Sequence, residues 1–136
     1  IDFKLPLKFE QKFDIISSSM SLQWAENLAN RIKNIKSLLK KNGVFITSIP
    51  TDGSLSEIYN ALGVHQFEFP KIDDISQHLT LIQSKKFQEN AFIALKNLHN
   101  CNLKLANNST RINHRKIASL KTKFTQWNIG FFIYNN

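Results

Sequence analysis

Phe13-Asp14-Ile15-Ile16-Ser17-Ser18-Ser19-Met20, followed by the stretch from Ser21 to Pro50, decides how this chain is built. Phe13, Ile15 and Ile16 form a short apolar run that breaks into serines, the pattern of a buried parallel strand ending at a loop. A helix is expected to start near Gln23. Its apolar positions Trp24, Leu28, Ile32, Ile35 and Leu39 recur at spacings of three and four, while Arg31, Lys33, Lys36 and Lys40 fall largely on the opposite, wet face. Glu26 in the first turn and Lys40-Lys41 in the last complement the helix dipole, and Asn42-Gly43 supplies a left-handed cap, so the helix is expected to stop at Gly43. Val44-Phe45-Ile46-Thr47 then makes a second β-branched run, closed by Pro50 and the turn-like Thr51-Asp52-Gly53. Two buried strands joined by a helix form a right-handed crossover in a parallel sheet.

One crossover leaves two bare sheet edges, so further strands are required. Downstream, Ser54 with Glu57 three residues on reads as a capping box opening a helix from Leu55 to Leu62, ended by Gly63. Asp73 and Asp74 open another helix through Ile75 and Leu79. The segment Leu79–Phe87 is ambiguous between strand and helix. Gln88–Leu98 reads as helical, Asn100–Thr110 as a polar loop, and Asn113–Phe124 as a helix with Ile117, Leu120 and Phe124 inward. The aromatic, β-branched run Trp127–Tyr134 closes the sheet, with Gly130 as a bulge.

The chain of 136 residues is one domain by size, and 42% hydrophobic content with 11 phenylalanines is enough for a core. No apolar run is long enough to span a bilayer. Asp2, Lys4 and Lys8 interrupt any signal-peptide pattern, so a soluble, cytoplasmic protein is expected. Cys101 is the one cysteine, which excludes an internal disulfide and suits a buried thiol in a reducing compartment. Asn107 and Asn108 match the glycosylation acceptor pattern in a polar loop without any secretory signal. The formal net charge of +8 favours acidic partners and says nothing about fold.

With these elements in place, Phe13 to Trp24 and Leu38 to Ser48 resemble the fourth strand, following helix and fifth strand of class I S-adenosylmethionine-dependent methyltransferases. Gln23-Trp24 and Asp52-Gly53-Ser54-Leu55-Ser56-Glu57-Ile58 resemble, within that class, the BioC family of biotin-synthesis methyltransferases. Weaker similarity continues through His65–Phe69, Ala94–Leu98 and Thr110–Leu120. The resemblance implies an α/β, Rossmann-like class I methyltransferase fold of which this chain holds the later strands and substrate-side helices. It also implies one domain fragment, with residues 1–63 as the cofactor-side sheet half and 64–136 as substrate-side helices and closing strand. The implied activity is methyl transfer from S-adenosylmethionine to the free carboxylate of malonyl-acyl carrier protein, an O-methyltransferase reaction of biotin synthesis. A related alternative is the respiratory complex I assembly factor that hydroxylates arginine and shares the Ser-Leu-x-x-Trp neighbourhood; Gln23, where that protein has His, favours the first. The family's glycine-rich loop and acidic ribose-binding residue have no counterpart in these 136 residues, and Glu68 stands where the family has Arg before Phe69.

Carried over residue by residue, the resemblance assigns Ser18, Ser19, Met20, Gln23 and Trp24 to the cofactor, with Asp2 and Phe3 as adenine neighbours, and His65 and Tyr59 to the substrate. Ser18, Ser19 and Met20 also lie at the carboxyl end of a parallel strand, where open α/β sheets place ligands. Ser17 is expected to alternate away from the site. A carboxylate acceptor is already ionised at neutral pH and needs no general base, so the absence of a catalytic dyad fits this chemistry and equally fits a non-catalytic binding module. His65, His78, His99 and His114 lack a second ligand at helical spacing, and no metal site is expected. Lys104, Arg111, Arg115, Lys116, Lys121 and Lys123 concentrate positive charge in the last third. A solvated face explains that charge most simply, a docking patch for an acidic carrier comes second and a nucleic-acid patch third.

Overall fold

Leu38 ends one element and Phe13 begins another, and the hydrogen bond from Phe13 N to the Leu38 carbonyl (2.8 Å) ties the two together. The structure, a computed structural model, describes residues 9–100 and 114–136. Strand β1 (Phe13–Ser19) lies parallel to β2 (Leu39–Pro50), with Ile15, Ile16, Ser17, Ser18 and Ser19 opposite Val44, Phe45, Ile46, Thr47 and Ser48. Helix α1 (Leu28–Ser37) connects them, as the periodicity predicts.

Both ends of that helix differ from expectation. Leu22–Trp24 forms a separate 3-10 turn, and α1 starts after Asn27, whose Oδ1 accepts the Asn30 amide at 2.9 Å. The helix stops at Ser37, because Leu39 is needed by the sheet: it pairs with Phe13 and is buried. The Asn42-Gly43 signal belongs to a strand irregularity. The register jumps from Phe13↔Leu39 to Ile15↔Val44, and Asn42 adopts φ 65° in the intervening segment. A Cβ at Gly43 would sit 2.9 Å from the Lys40 carbonyl oxygen and 3.0 Å from that of Phe13, so the close approach requires glycine.

Antiparallel to β2 runs β4 (Phe124–Asn135), in unbroken register from Val44↔Asn135 to Pro50↔Ile129. Gly130 pairs directly with Ile49, so it makes no bulge; a Cβ there would fall 2.5 Å from the Phe132 ring. The ambiguous segment after Leu79 is β3 (Thr80–Asn90), exposed through most of its length. The four strands are ordered β1-β2-β4-β3, which leaves β1 and β3 outermost among the described residues. That position overturns the reading of β1 as buried, for Ile15 is 67% exposed.

The remaining helices are α2 (Ser56–Leu62), α3 (Ile72–Ser76), α4 (Ala91–Asn100) and α5 (His114–Ser119), the last followed by a 3-10 turn over Leu120–Thr122. Gly63 closes α2 in the left-handed region, as expected, but Ser54 is not its cap: Leu55 occupies that position at φ 61°, and the Ser54 hydroxyl bonds the backbone of Asn128 instead. Phe124 begins β4 and is 64% exposed, which corrects its inward assignment. The expected loop over 101–110 and Cys101 lie outside the described residues.

By contacts the chain forms two compact units, one drawn from Ile1–Thr51, Pro70–Lys85 and Ile129–Asn136, the other from Asp52–Phe69 and Lys86–Asn128. In the first, Phe45 and Phe132 are wholly buried together with Ile32, Ile49 and Ile75. Each such ring or aliphatic side chain contributes about 1.5–3 kcal/mol by leaving water. Arg31 sits on the same buried side of α1 at 8% exposure, which corrects its placement on the wet face. Lys36 donates to the His78 carbonyl and stands 3.8 Å from the Tyr134 ring centroid. In the second unit Leu55, Ile58, Leu62, Ala94 and Leu120 form the core. No described helix is long and apolar enough to cross a membrane.

Candidate functional site at the carboxyl ends of β1 and β2

Parallel pairing sets the last residue of β1 level with Ser48, two residues before the end of β2. Ser19 pairs with Ser48, and their hydroxyl oxygens are 3.1 Å apart. The chain then reverses through Met20, whose φ of 50° lies in the left-handed region and whose amide donates to the Ser48 carbonyl at 2.9 Å. Such a conformation costs a non-glycine residue on the order of 1 kcal/mol, and the surrounding bonds hold it. Ser18 and Ser21 share a hydroxyl hydrogen bond of 2.7 Å across this turn.

Gln23 supports the turn from below. Its Nε2 donates to the Met20 carbonyl at 2.7 Å, the residue is 8% exposed, and its Oε1 has no hydrogen-bond partner among the described residues. Buried polar atoms are nearly always paired, because an unpaired one costs about 1–3 kcal/mol. An orphan acceptor beside a strand end therefore marks a place for a donor. Trp24 follows in the same 3-10 turn and is half-buried.

A cleft of about 450 Å³ runs along β1. Phe9, Phe13 and Ile15, with Ile35 of α1 and Leu38 just after it, make much of it apolar; Arg31 of α1 adds a guanidinium, and Ser17, Ser18, Ser19 and Ser21 add hydroxyl-bearing residues, so Ser17 lines the cleft rather than turning away from it. Residues 15–25 contain no Asp, Glu, Lys, Arg or His, so this segment offers neutral donors and acceptors and no proton-transfer group. Among the described residues no cluster of three or more His, Cys, Asp or Glu is arranged to hold a metal ion.

Of the residues assigned to a cofactor by resemblance, Ser18, Ser19, Met20, Gln23 and Trp24 thus share one strand end and turn, while Asp2 and Phe3 lie outside the described residues. The two assigned to substrate belong to the other unit. His65 is exposed. Tyr59 is 3% exposed within the core cluster, and burial pushes its phenol pKa above 10.0. Sequence reading missed Ser21 and Ser48. Ser48 follows Val44–Thr47 as Ser17–Ser19 follow Ile16, so the polar residue after an apolar run was the available signal.

No protein-family model matches the chain. Among curated proteins it is similar to the mitochondrial arginine-hydroxylase NDUFAF5 of Dictyostelium discoideum, 26% identical over 148 residues, a match that takes in 93% of this chain and 33% of the relative. The chain therefore spans about a third of that relative's length. Among solved structures it is similar to the YcgJ protein of Bacillus subtilis, with a TM-score of 0.63 and 12% identity over 98% of this chain and 68% of that one. It is also similar to the methyltransferase candidate BH2331 of Bacillus halodurans, with a TM-score of 0.60 and 11% identity over 98% and 73% of the two chains. At these identities the likeness is one of fold. The chain has the mixed α/β, Rossmann-like architecture of methyltransferase structures, the fold that the resemblance of Phe13–Trp24 and Leu38–Ser48 implied.

Proposed function

We propose that this chain is part of an S-adenosylmethionine-dependent methyltransferase-like protein, and that the carboxyl ends of β1 and β2 contribute to its cofactor site. The observation that carries this reading is the buried Oε1 of Gln23, without a partner among the described residues, in a side chain bonded to the left-handed turn that follows a serine-bearing parallel strand end. These residues offer neutral acceptors to the cationic groups of a zwitterionic cofactor, and Arg31, which lines the same cleft, sets a cation toward its carboxylate end. Ser18, Ser19, Met20 and Gln23 would hold it, and Trp24 would flank it. When bound, such a cofactor supplies an electrophilic methyl group on a sulfonium. The task left to the residues of this chain is orientation, because an in-line displacement gains chiefly from alignment.

The acceptor proposed first is the malonyl carboxylate on acyl carrier protein, in keeping with the absence of any ionisable side chain over residues 15–25. A carboxylate is ionised before it arrives and asks for no base. A second reading, arginine hydroxylation, is favoured by the name of the D. discoideum relative, which aligns with nearly the whole of this chain. The two separate in one assay on the full-length gene product. Transfer of radiolabelled methyl from S-adenosylmethionine to malonyl-acyl carrier protein supports the first, and oxygen added to an arginine peptide, read by mass, supports the second. Failure of both with intact cofactor binding would leave the site without either acceptor.

A further inference from the structure

After Glu89 the chain changes character: residues 90–136 contain no Asp or Glu, while Lys96, Lys104, Arg111, Arg115, Lys116, Lys121 and Lys123 all fall within them. Three of these cations fall beside apolar side chains, partly buried or exposed, on one compact unit. The start of α4 is fastened to the turn before β4, since Ala91 N donates to the Lys123 carbonyl at 2.9 Å and Asn90 Nδ2 to that of Lys121 at 2.9 Å. Asn90 Oδ1 in turn accepts the amides of Phe92 and Ile93. That fastening sets Lys121 Nζ over the Phe92 ring, 5.7 Å from its centroid. On the two segments so fastened, Phe124 is 64% and Ile93 51% exposed, and Lys96 follows Ile93 by three residues on the same helix. Phe124 and Lys123 also line an open cleft with Glu57, Asn60 and Ala61.

A solvated lysine face explains the charge but not the apolar groups set among it; exposed Phe and Ile beside lysines mark a surface that is covered part of the time. We propose that the surface formed by the start of α4, the Leu120–Thr122 turn and the first residues of β4 docks an acidic, partly apolar segment of another protein. Charge complementarity selects the sign of the partner, and Phe124 and Ile93 supply the desolvated contacts that charge alone does not. A polyphosphate backbone fits less well. Trp127 is engaged through Nε1 with Glu89 (3.2 Å) rather than offered for stacking on bases. The inference stands apart from the cofactor assignment, because every residue it uses lies in the other unit.

The test measures fluorescence anisotropy of a labelled helical peptide bearing Glu on one face and Leu and Phe on the other, with poly-glutamate, single-stranded RNA and phosphatidylserine vesicles as competing probes. The expected result is that the amphipathic acidic peptide binds more tightly than poly-glutamate. Lys121→Glu with Lys123→Glu should weaken it roughly tenfold at low salt. Phe124→Ala, at an exposed position, should weaken it without changing the melting temperature. Lys33→Glu with Lys41→Glu makes the same charge change on exposed residues of the other unit and should leave binding within about twofold. Equal loss in that control, tighter binding of RNA or vesicles than of peptide, or no peptide binding by the folded protein would each overturn the proposal.

Discussion

Ser19 Oγ and Ser48 Oγ stand 3.1 Å apart at paired positions of β1 and β2, so the two strand ends present their hydroxyls together. The pair is exposed, and an exposed neutral hydrogen bond contributes at most about 1 kcal/mol net. Ser19→Ala and Ser48→Ala should therefore leave the melting temperature within a few degrees of the parent. If these hydroxyls meet a ligand, both variants should nevertheless lose affinity for S-adenosylmethionine. A large thermal shift with unchanged affinity would assign the pair to folding alone.

Gln23 separates packing from binding through its two side-chain ends. Gln23→Leu removes the bond to the Met20 carbonyl but also the orphan Oε1, two effects of opposite sign and about 1 kcal/mol each, so stability should change little. Gln23→Glu places a carboxylate against the Met20 carbonyl in a site that is 8% exposed, and should destabilise the fold by about 1–3 kcal/mol at neutral pH. Chemical denaturation of the two variants checks the order, and Gln23→Glu as stable as Gln23→Leu would contradict the buried geometry.

Gly130 is required by its neighbour rather than by its backbone. A Cβ there would lie 2.5 Å from Cε2 and 2.8 Å from Cζ of Phe132, a ring that is wholly buried and has little room to yield. Gly130→Ala should cost about 1–3 kcal/mol, the usual penalty of overpacking. Pairing it with Phe132→Leu should recover part of that loss, and a double mutant no better than the sum of the singles would argue against the contact.

Glu57 carries a pH signature. Partial burial raises its pKa, but hydrogen bonds to its carboxylate, including those from Thr125 Oγ1 (2.9 Å) and the Gln126 amide (3.2 Å), outweigh that and hold it below the ordinary 4.5. A carboxylate with a lowered folded pKa stabilises the fold above its unfolded value and loses that contribution as pH falls through the folded one. The wild-type protein should accordingly lose stability on acidification below 4.5 more steeply than Glu57→Gln, in parallel denaturation series across that range. Identical slopes would show that the bonds to Thr125 and Gln126 do not depend on charge.

How much of this was legible in advance depends on what each signal competes with. The crossover from Phe13 to Pro50 was readable because apolar runs and a period near 3.6 are imposed by burial, and burial decides this fold. The helix end was not, since Asn-Gly serves a cap and a strand irregularity equally well, and only the pairing of Leu39 with Phe13 chooses between them. Strand β3 showed no clean alternation because most of it is exposed on both faces. Ser54 looked like a cap from its spacing to Glu57, yet both side chains are engaged by β4, 68 to 74 residues away in sequence. At the candidate site, Ser18, Ser19 and Met20 were visible at the end of an apolar run; Ser48 follows a run of the same kind, and only the pairing of β1 with β2 sets it beside Ser19.

Calorimetric titration of S-adenosylmethionine into the full-length gene product, alongside its Gln23→Leu variant, tests the cofactor assignment most directly. Saturable binding by the parent, weakened roughly tenfold in a variant of unchanged melting temperature, is the predicted result, a loss of about 1.4 kcal/mol. Absence of binding by the folded parent, or equal affinity of the two proteins, would contradict it.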